Sequence, residues 1–223
     1  MESKPRRQTP KPEAPRPAPR LYLVTPQVAD AREFIGVISG AFANADVAAV
    51  LLRLAPGDER TLINRVKTLA PVIQTAGAAL IVEGYPEIVA HSGADGAHLQ
   101  SIEAFEEAVS RLKPERIAGA GGLRTRHDAM TAAERGADYV MFGEPDADGK
   151  RPSFDAVLER VAWWAEVFEI PSVAWAGRME EIGELGAAGA DFIAVGDFVF
   201  ADPRGLPAAL AEAMSLLTAS VPA

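Results

Sequence analysis

Cations, carboxylates and glycines recur in this chain directly after short apolar runs. Thr25 closes Leu21–Val24, Arg53 interrupts Ala48–Leu54, and Glu83 follows Ala78–Val82. Gln100 and Glu103 come after Gly96–Leu99, and Gly121-Gly122 after Arg116–Ala120. Glu144, Asp146, Asp148, Lys150 and Arg151 follow Tyr139–Phe142. Gly177 and Arg178 follow Ser172–Ala176, and Gly196 and Asp197 follow Phe192–Val195. Cations beside carboxylates and glycine amides suit a phosphorylated small molecule held with a hard divalent cation. Glycine lets a backbone N–H approach a phosphate oxygen, although it can equally mark a plain tight turn. Arg53, inside an apolar run, must find an anion or water. The chain has no cysteine, which excludes thiolate catalysis and thiolate-bound metals. His91, His98 and His127 lack metal-ligand spacing, and His98 reads as a core or rim residue.

The elements that would position these residues are announced by a phrase that occurs three times, Gly93-Ala-Asp, Gly136-Ala-Asp and Gly189-Ala-Asp. Each reads as a glycine helix stop, an aspartate at a strand entrance, a short buried strand and a loop. Asp95, Asp138 and Asp191 are expected to bond local backbone N–H groups. The eight apolar runs predict strands, and helical patterns lie between them, among them Val28–Phe42, Asp58–Gly77, Ser101–Leu112, Phe154–Phe168 and Leu206–Leu217. Strands that are apolar throughout are buried on both faces. Eight short β/α units predict an α/β protein, a single (β/α)8 TIM barrel, with a flavodoxin-like open sheet as the alternative. In either fold the working residues sit at the carboxyl ends of the strands.

Residues 1–20 hold six prolines and six bases against two acids, and predict a disordered, basic, Pro-rich tail preceding a barrel domain over 21–223. The whole chain carries −9, so the remaining body is strongly acidic. That argues against nucleic acid or an anionic membrane as partner. No apolar run reaches the roughly 18–20 residues of a membrane-spanning helix. A cytoplasmic protein is expected, with homo-oligomerisation left open.

Leu21-Tyr-Leu-Val-Thr25, Asp95-Gly-Ala-His-Leu99, Gly136-Ala-Asp-Tyr-Val140 with Gly143, and Ala190–Val195 stand in the order and spacing of thiamine phosphate synthase. The resemblance covers about residues 21–218. It implies a barrel transferase that couples a pyrimidine methyl diphosphate to a thiazole phosphate, with Mg²⁺, releasing pyrophosphate. Position by position, it places Arg53 on the family's strand-two arginine, while Leu51 and Ala55 replace its glutamine and lysine. Glu83 and Glu103 stand for the two metal-binding aspartates. Gly121 replaces the strand-five serine, and Lys150 or Arg151 stands for the lysine after strand six. Gly177 remains of a Gly-Gly pair, and Asp197, after Gly196, replaces a serine that helps hold thiazole phosphate. These departures leave two alternatives: a diverged paralogue that binds another phosphorylated small molecule or has lost catalysis, and another phosphate-using barrel isomerase.

Overall fold

The computed structural model describes residues 17–43 and 45–220. Most of the tail, residues 1–16, lies outside the described residues. The chain runs β1 (Arg20–Val24), α1 (Ala31–Ile38), β2 (Val47–Leu52), α2 (Glu59–Thr75), β3 (Ala79–Glu83) and α3 (Val89–Ser92). It continues through β4 (Gly96–Leu99), α4 (Ile102–Leu112), β5 (Ile117–Ala120), α5 (Arg126–Glu134) and β6 (Tyr139–Phe142). Then come α6 (Phe154–Val167), β7 (Ser172–Trp175), α7 (Glu181–Ala187), β8 (Phe192–Val195), α8 (Asp197–Phe200) and α9 (Leu206–Ser220). The strands close in sequence order, each parallel to its neighbours, with β8 paired to β1. This is the (β/α)8 barrel expected; the open sheet is excluded.

Side-chain alternation along the strands divides the core in two. Leu21, Leu23, Val50, Leu52, Leu80 and Val82 face the helices, while Tyr22, Val24, Leu51, Ile81, Tyr139, Met141, Val173 and Trp175 fill the barrel. Both faces exclude water, which is why the strands lack a polar period. Helix starts follow capping chemistry: Asp58 accepts from Thr61 N at 2.7 Å, and Thr125 and Asp128 form a reciprocal capping box. The first helix is shorter than expected. Val28 bridges to Leu54 as extended chain, and Asp30 caps the helix by accepting from Arg32 N and Glu33 N. The four-residue α8 was not foreseen, being too short to show a helical period.

Each Gly-Ala-Asp phrase ends a helical segment on a glycine with φ of 83°, 95° or 96°, the left-handed region glycine favours. The aspartates bond backbone N–H groups, but not local ones. Asp95 accepts from Leu80 N at 2.7 Å, Asp138 from Ala118 N at 2.8 Å and Asp191 from Ser172 N at 2.8 Å, all on the preceding strand. The aspartate N–H returns a bond to the carbonyl of the same residue in each case. A fourth aspartate, Asp46 before β2, instead pairs with Arg20, with a 2.6 Å Nη2–Oδ1 contact.

Asp138→Ala strips the Ala118 N–H of its acceptor, and is expected to lower unfolding free energy by about 1–3 kcal/mol. Asp46→Ala, which breaks an exposed ion pair, should cost under about 1 kcal/mol. Urea denaturation of both variants checks the contrast.

Candidate active site

The carboxyl ends of the strands converge on one barrel mouth. Thr25 is fully buried after β1, and its Oγ1 accepts from Arg53 N at 3.0 Å, fixing where the Arg53 side chain starts. Arg53 Nε lies 3.5 Å from Glu83 Oε2, and Gln100 Nε2 donates to Glu83 Oε1 at 3.2 Å. Among the described residues, Arg53 Nε is the buried side-chain polar atom that has no hydrogen-bond partner. Burial pushes the Glu83 carboxyl above its usual range; Arg53 and His98 oppose the rise, and the like charge of Glu144 adds to it.

Beneath this pair runs a buried chain of polar groups. Tyr22 and Tyr139 hydroxyls are 2.7 Å apart, Tyr139 Oη is 2.9 Å from His98 Nδ1, and His98 Nε2 is 3.0 Å from Glu144 Oε1. Glu144 Oε2 then accepts from Gly122 N at 2.8 Å. The His98 and Tyr139 rings stack at 5.7 Å between centroids. Glycine on β5 makes this possible: a Cβ on Gly119 would collide with Tyr139, and one on Gly121 with Glu144 and His98. Burial pushes both tyrosines' pKa upward, so their hydroxyls keep their protons. Burial opposes charge on His98, yet Glu144, by charge and hydrogen bond, with help from Glu83, holds its pKa above 6.5. The arrangement is a histidine–carboxylate pair tied to two neutral phenols, enclosed under the mouth.

A second cluster closes the β6–β7 side. Arg151 Nε donates to Gly143 O at 3.2 Å and Nη2 to Trp175 O at 2.8 Å. Glu181 Oε2 accepts from Gly177 N at 2.7 Å and lies 3.4 Å from Arg151 Nη2, while Oε1 lies 3.4 Å from Arg178 Nε. A Cβ at Gly177 would overlap the Arg151 guanidinium.

The expected site residues are therefore gathered unevenly. Arg53 and Glu83 meet, and Arg151 with Gly177 forms the second cluster. Of the two bases after β6, Arg151 enters the mouth. Lys150 is exposed, and its backbone N–H is what bonds, to Asp146 Oδ1 at 2.8 Å. That loop folds on Asp146, whose carboxylate also accepts from Asp148 N, and this turn points Lys150 outward. Glu103 is exposed in the first turn of α4 and makes no side-chain ion pair or hydrogen bond with the described residues. The carboxylate whose charge Glu83 feels is Glu144. Gly121 N is consumed by Leu99 O at 2.8 Å, so its amide is not available to a ligand. Gly196 precedes α8 and Asp197 opens it, exposed; the nearby bases Arg178 and Arg204 pair with Glu180 and Glu181 and with Asp202 and Glu212 respectively. His98 is a core residue as expected, but its partners Tyr22, Tyr139 and Glu144 were missed. A polar residue inside a four-residue apolar strand was their visible signal. Nothing in the sequence pointed to Glu181.

Residues 21–199 match the model of a family described as thiamine monophosphate synthase. The chain belongs to that family. A thiamine-phosphate synthase of Rhodospirillum centenum is 38% identical over 86% of this chain and 95% of its own. One of Hyphomonas neptunium is 34% identical over 93% and 97%. Among solved structures, a thiamine phosphate pyrophosphorylase from Pyrococcus furiosus superposes with a TM-score of 0.73 at 23% identity, covering 91% of this chain and 97% of that one. The 3-hexulose-6-phosphate synthase of Salmonella typhimurium, at TM-score 0.67 and 10% identity, shares the fold alone. The thiamine monophosphate synthase match spans every strand end that builds the mouth.

In the folded protein His98 should titrate above 6.5 by imidazole NMR, and Glu144→Gln should bring it below 6.5, because burial then outweighs the remaining attraction. The stability His98 contributes is fully present below its unfolded pKa. It is lost as pH rises through the raised folded value, so wild type should lose stability over that window and Glu144→Gln should not.

Proposed function

We propose that this protein is a working thiamine-phosphate synthase, a cytoplasmic transferase of thiamine biosynthesis that joins a pyrimidine methyl diphosphate to a thiazole phosphate. Arg53 carries the reading. Its buried Nε lacks an acceptor among the described residues, and the carboxylate beside it stands at 3.5 Å. An unsatisfied buried guanidinium N–H is costly, and a diphosphate oxygen supplies the missing acceptor. The family match over residues 21–199 supports the same assignment.

In the reaction the bond between the pyrimidine's methyl carbon and the diphosphate oxygen breaks, and both electrons leave with pyrophosphate. The thiazole nitrogen lone pair then forms the new C–N bond. Such a step needs charge stabilisation and orientation rather than a protein nucleophile. Arg53 holds the charge that develops on the leaving diphosphate. Glu83 and Glu144 set negative charge in the mouth, where the pyrimidine becomes cationic. The packed floor of Tyr22, Tyr139 and Trp175 keeps water out from below.

Mg²⁺ binds oxygen donors and is usually held by one or two carboxylates together with substrate phosphate oxygens. Glu83, part-exposed at the mouth, is a donor of that kind, with Glu103 as the second candidate on α4. Among the described residues there is no group of three or more His, Cys, Asp or Glu that could hold a metal ion. When bound, it would neutralise the diphosphate and improve it as a leaving group.

Purified protein with both substrates and Mg²⁺ should form thiamine phosphate, and the gene should complement a thiamine auxotroph; failure of both sinks the assignment. Arg53→Ala should reduce kcat/KM by about 100-fold or more. On the acid side, kcat/KM should fall through a pKa above the ordinary 4.5 of glutamate, and Arg53→Gln should move that limb further up, since Arg53 pulls Glu83 down.

A further inference from the structure

Loops after strands seven and eight commonly hold phosphate in these barrels. Here the donor set after β7 is already engaged by an anion of the protein's own. The Glu181 carboxylate takes the Gly177 N–H at 2.7 Å and lies 3.4 Å from both Arg151 Nη2 and Arg178 Nε. Its side chain is 8% exposed, against 24% for Arg151 and 67% for Arg178. Arg151 is fixed by two carbonyls, Gly143 O and Trp175 O, and its Nη1 lies over Gly177 without a hydrogen bond to any of the described residues. An amide and two guanidiniums around one carboxylate form a site with the composition of an anion cradle.

We propose that Glu181 is a resident anion in this cradle, which the phosphate of the thiazole substrate binds by displacing, so that Glu181 sets the selectivity for that phosphate. This inference rests on the reading of the second substrate as a phosphate ester. A phosphate dianion carries more charge than the carboxylate and has three oxygens for the Gly177 N–H, Arg151 Nη1 and Arg178. It can therefore replace Glu181, whereas an uncharged alcohol at the same place cannot. The displaced carboxylate makes the cradle weaker for every anion but selective for strongly charged ones.

The test is titration of the full-length protein with inorganic phosphate, and separately with pyrophosphate, followed by calorimetry and by the Gly177 amide resonance. Glu181→Gln should bind inorganic phosphate about tenfold tighter than wild type, because the competing charge-assisted bond is gone. Glu181→Asp keeps the charge but falls one methylene short, and should lie between the two. The Gly177 amide should shift on phosphate addition in all three proteins. In turnover, Glu181→Gln should lower KM for the thiazole phosphate and narrow its preference over the unphosphorylated thiazole alcohol. Equal or weaker phosphate binding by Glu181→Gln, with its melting curve showing a folded protein, overturns the proposal. So does a Gly177 amide that phosphate leaves unmoved. If Glu181→Gln does not fold, Glu181→Asp decides by the same comparison. Phosphate binding is read without turnover, so a protein that makes no thiamine phosphate yet shows the tightening fails the functional reading and keeps this one.

Discussion

An aspartate carboxylate at the entrance of an even-numbered strand, bonded to an N–H of the odd strand before it, is the interaction on which this barrel's geometry rests. Strands of four to six residues offer few ladder bonds, and a register error of one residue would turn every inward side chain outward. Asp95, Asp138 and Asp191 remove that freedom by engaging the N–H and, through their own N–H, the C=O of a single residue on the neighbouring strand. With register fixed at the bottom, the residues at the top have defined partners. Arg53 meets Glu83, and His98 lies between Tyr139 and Glu144.

The mouth puts charge where solvent is scarce. Carboxylates, a histidine and guanidiniums are arranged there so that each has a close opposite or a fixed dipole. Among the described residues Arg53 Nε, beside Glu83, is the buried side-chain polar atom without a hydrogen bond, and an incoming anion would supply one. The Glu144 carboxylate is held on both oxygens, by the Gly122 N–H and by His98. Charges held this way need little rearrangement when a substrate ionises, and preorganised charge is the main source of such catalysis.

The barrel was legible because its signals are local and repeated. Each strand shows as a run of apolar residues, and Gly93, Gly136 and Gly189 take the left-handed conformation that the phrase requires. β4, β6 and β8 begin and end at the residues expected. The candidate site was legible only in part, because its order depends on contacts between residues far apart in the chain. Strand-end position identified Arg53 and Glu83. The choice of Arg151 over Lys150 depended on a turn built by Asp146, and the isolation of Glu103 on the direction of a helix. Tyr22 and Tyr139 looked like ordinary core aromatics, and only alternation into the barrel brings their hydroxyls together. Asp46, in Asn44-Ala-Asp46, is a variant of the repeated phrase that a search for Gly-Ala-Asp passes over.

With Asp46 counted, four of the eight strand junctions carry a side-chain stitch at their lower end: β1 to β2, β3 to β4, β5 to β6, and β7 to β8. The Arg53–Glu83 pair crosses from β2 to β3, and Arg151 reaches from the loop after β6 to the end of β7. Both lie over junctions that no aspartate stitches. The barrel is thus four stitched pairs of staves, and the candidate site residues reach across seams that carry no aspartate stitch, where a bound ligand would add a tie of its own.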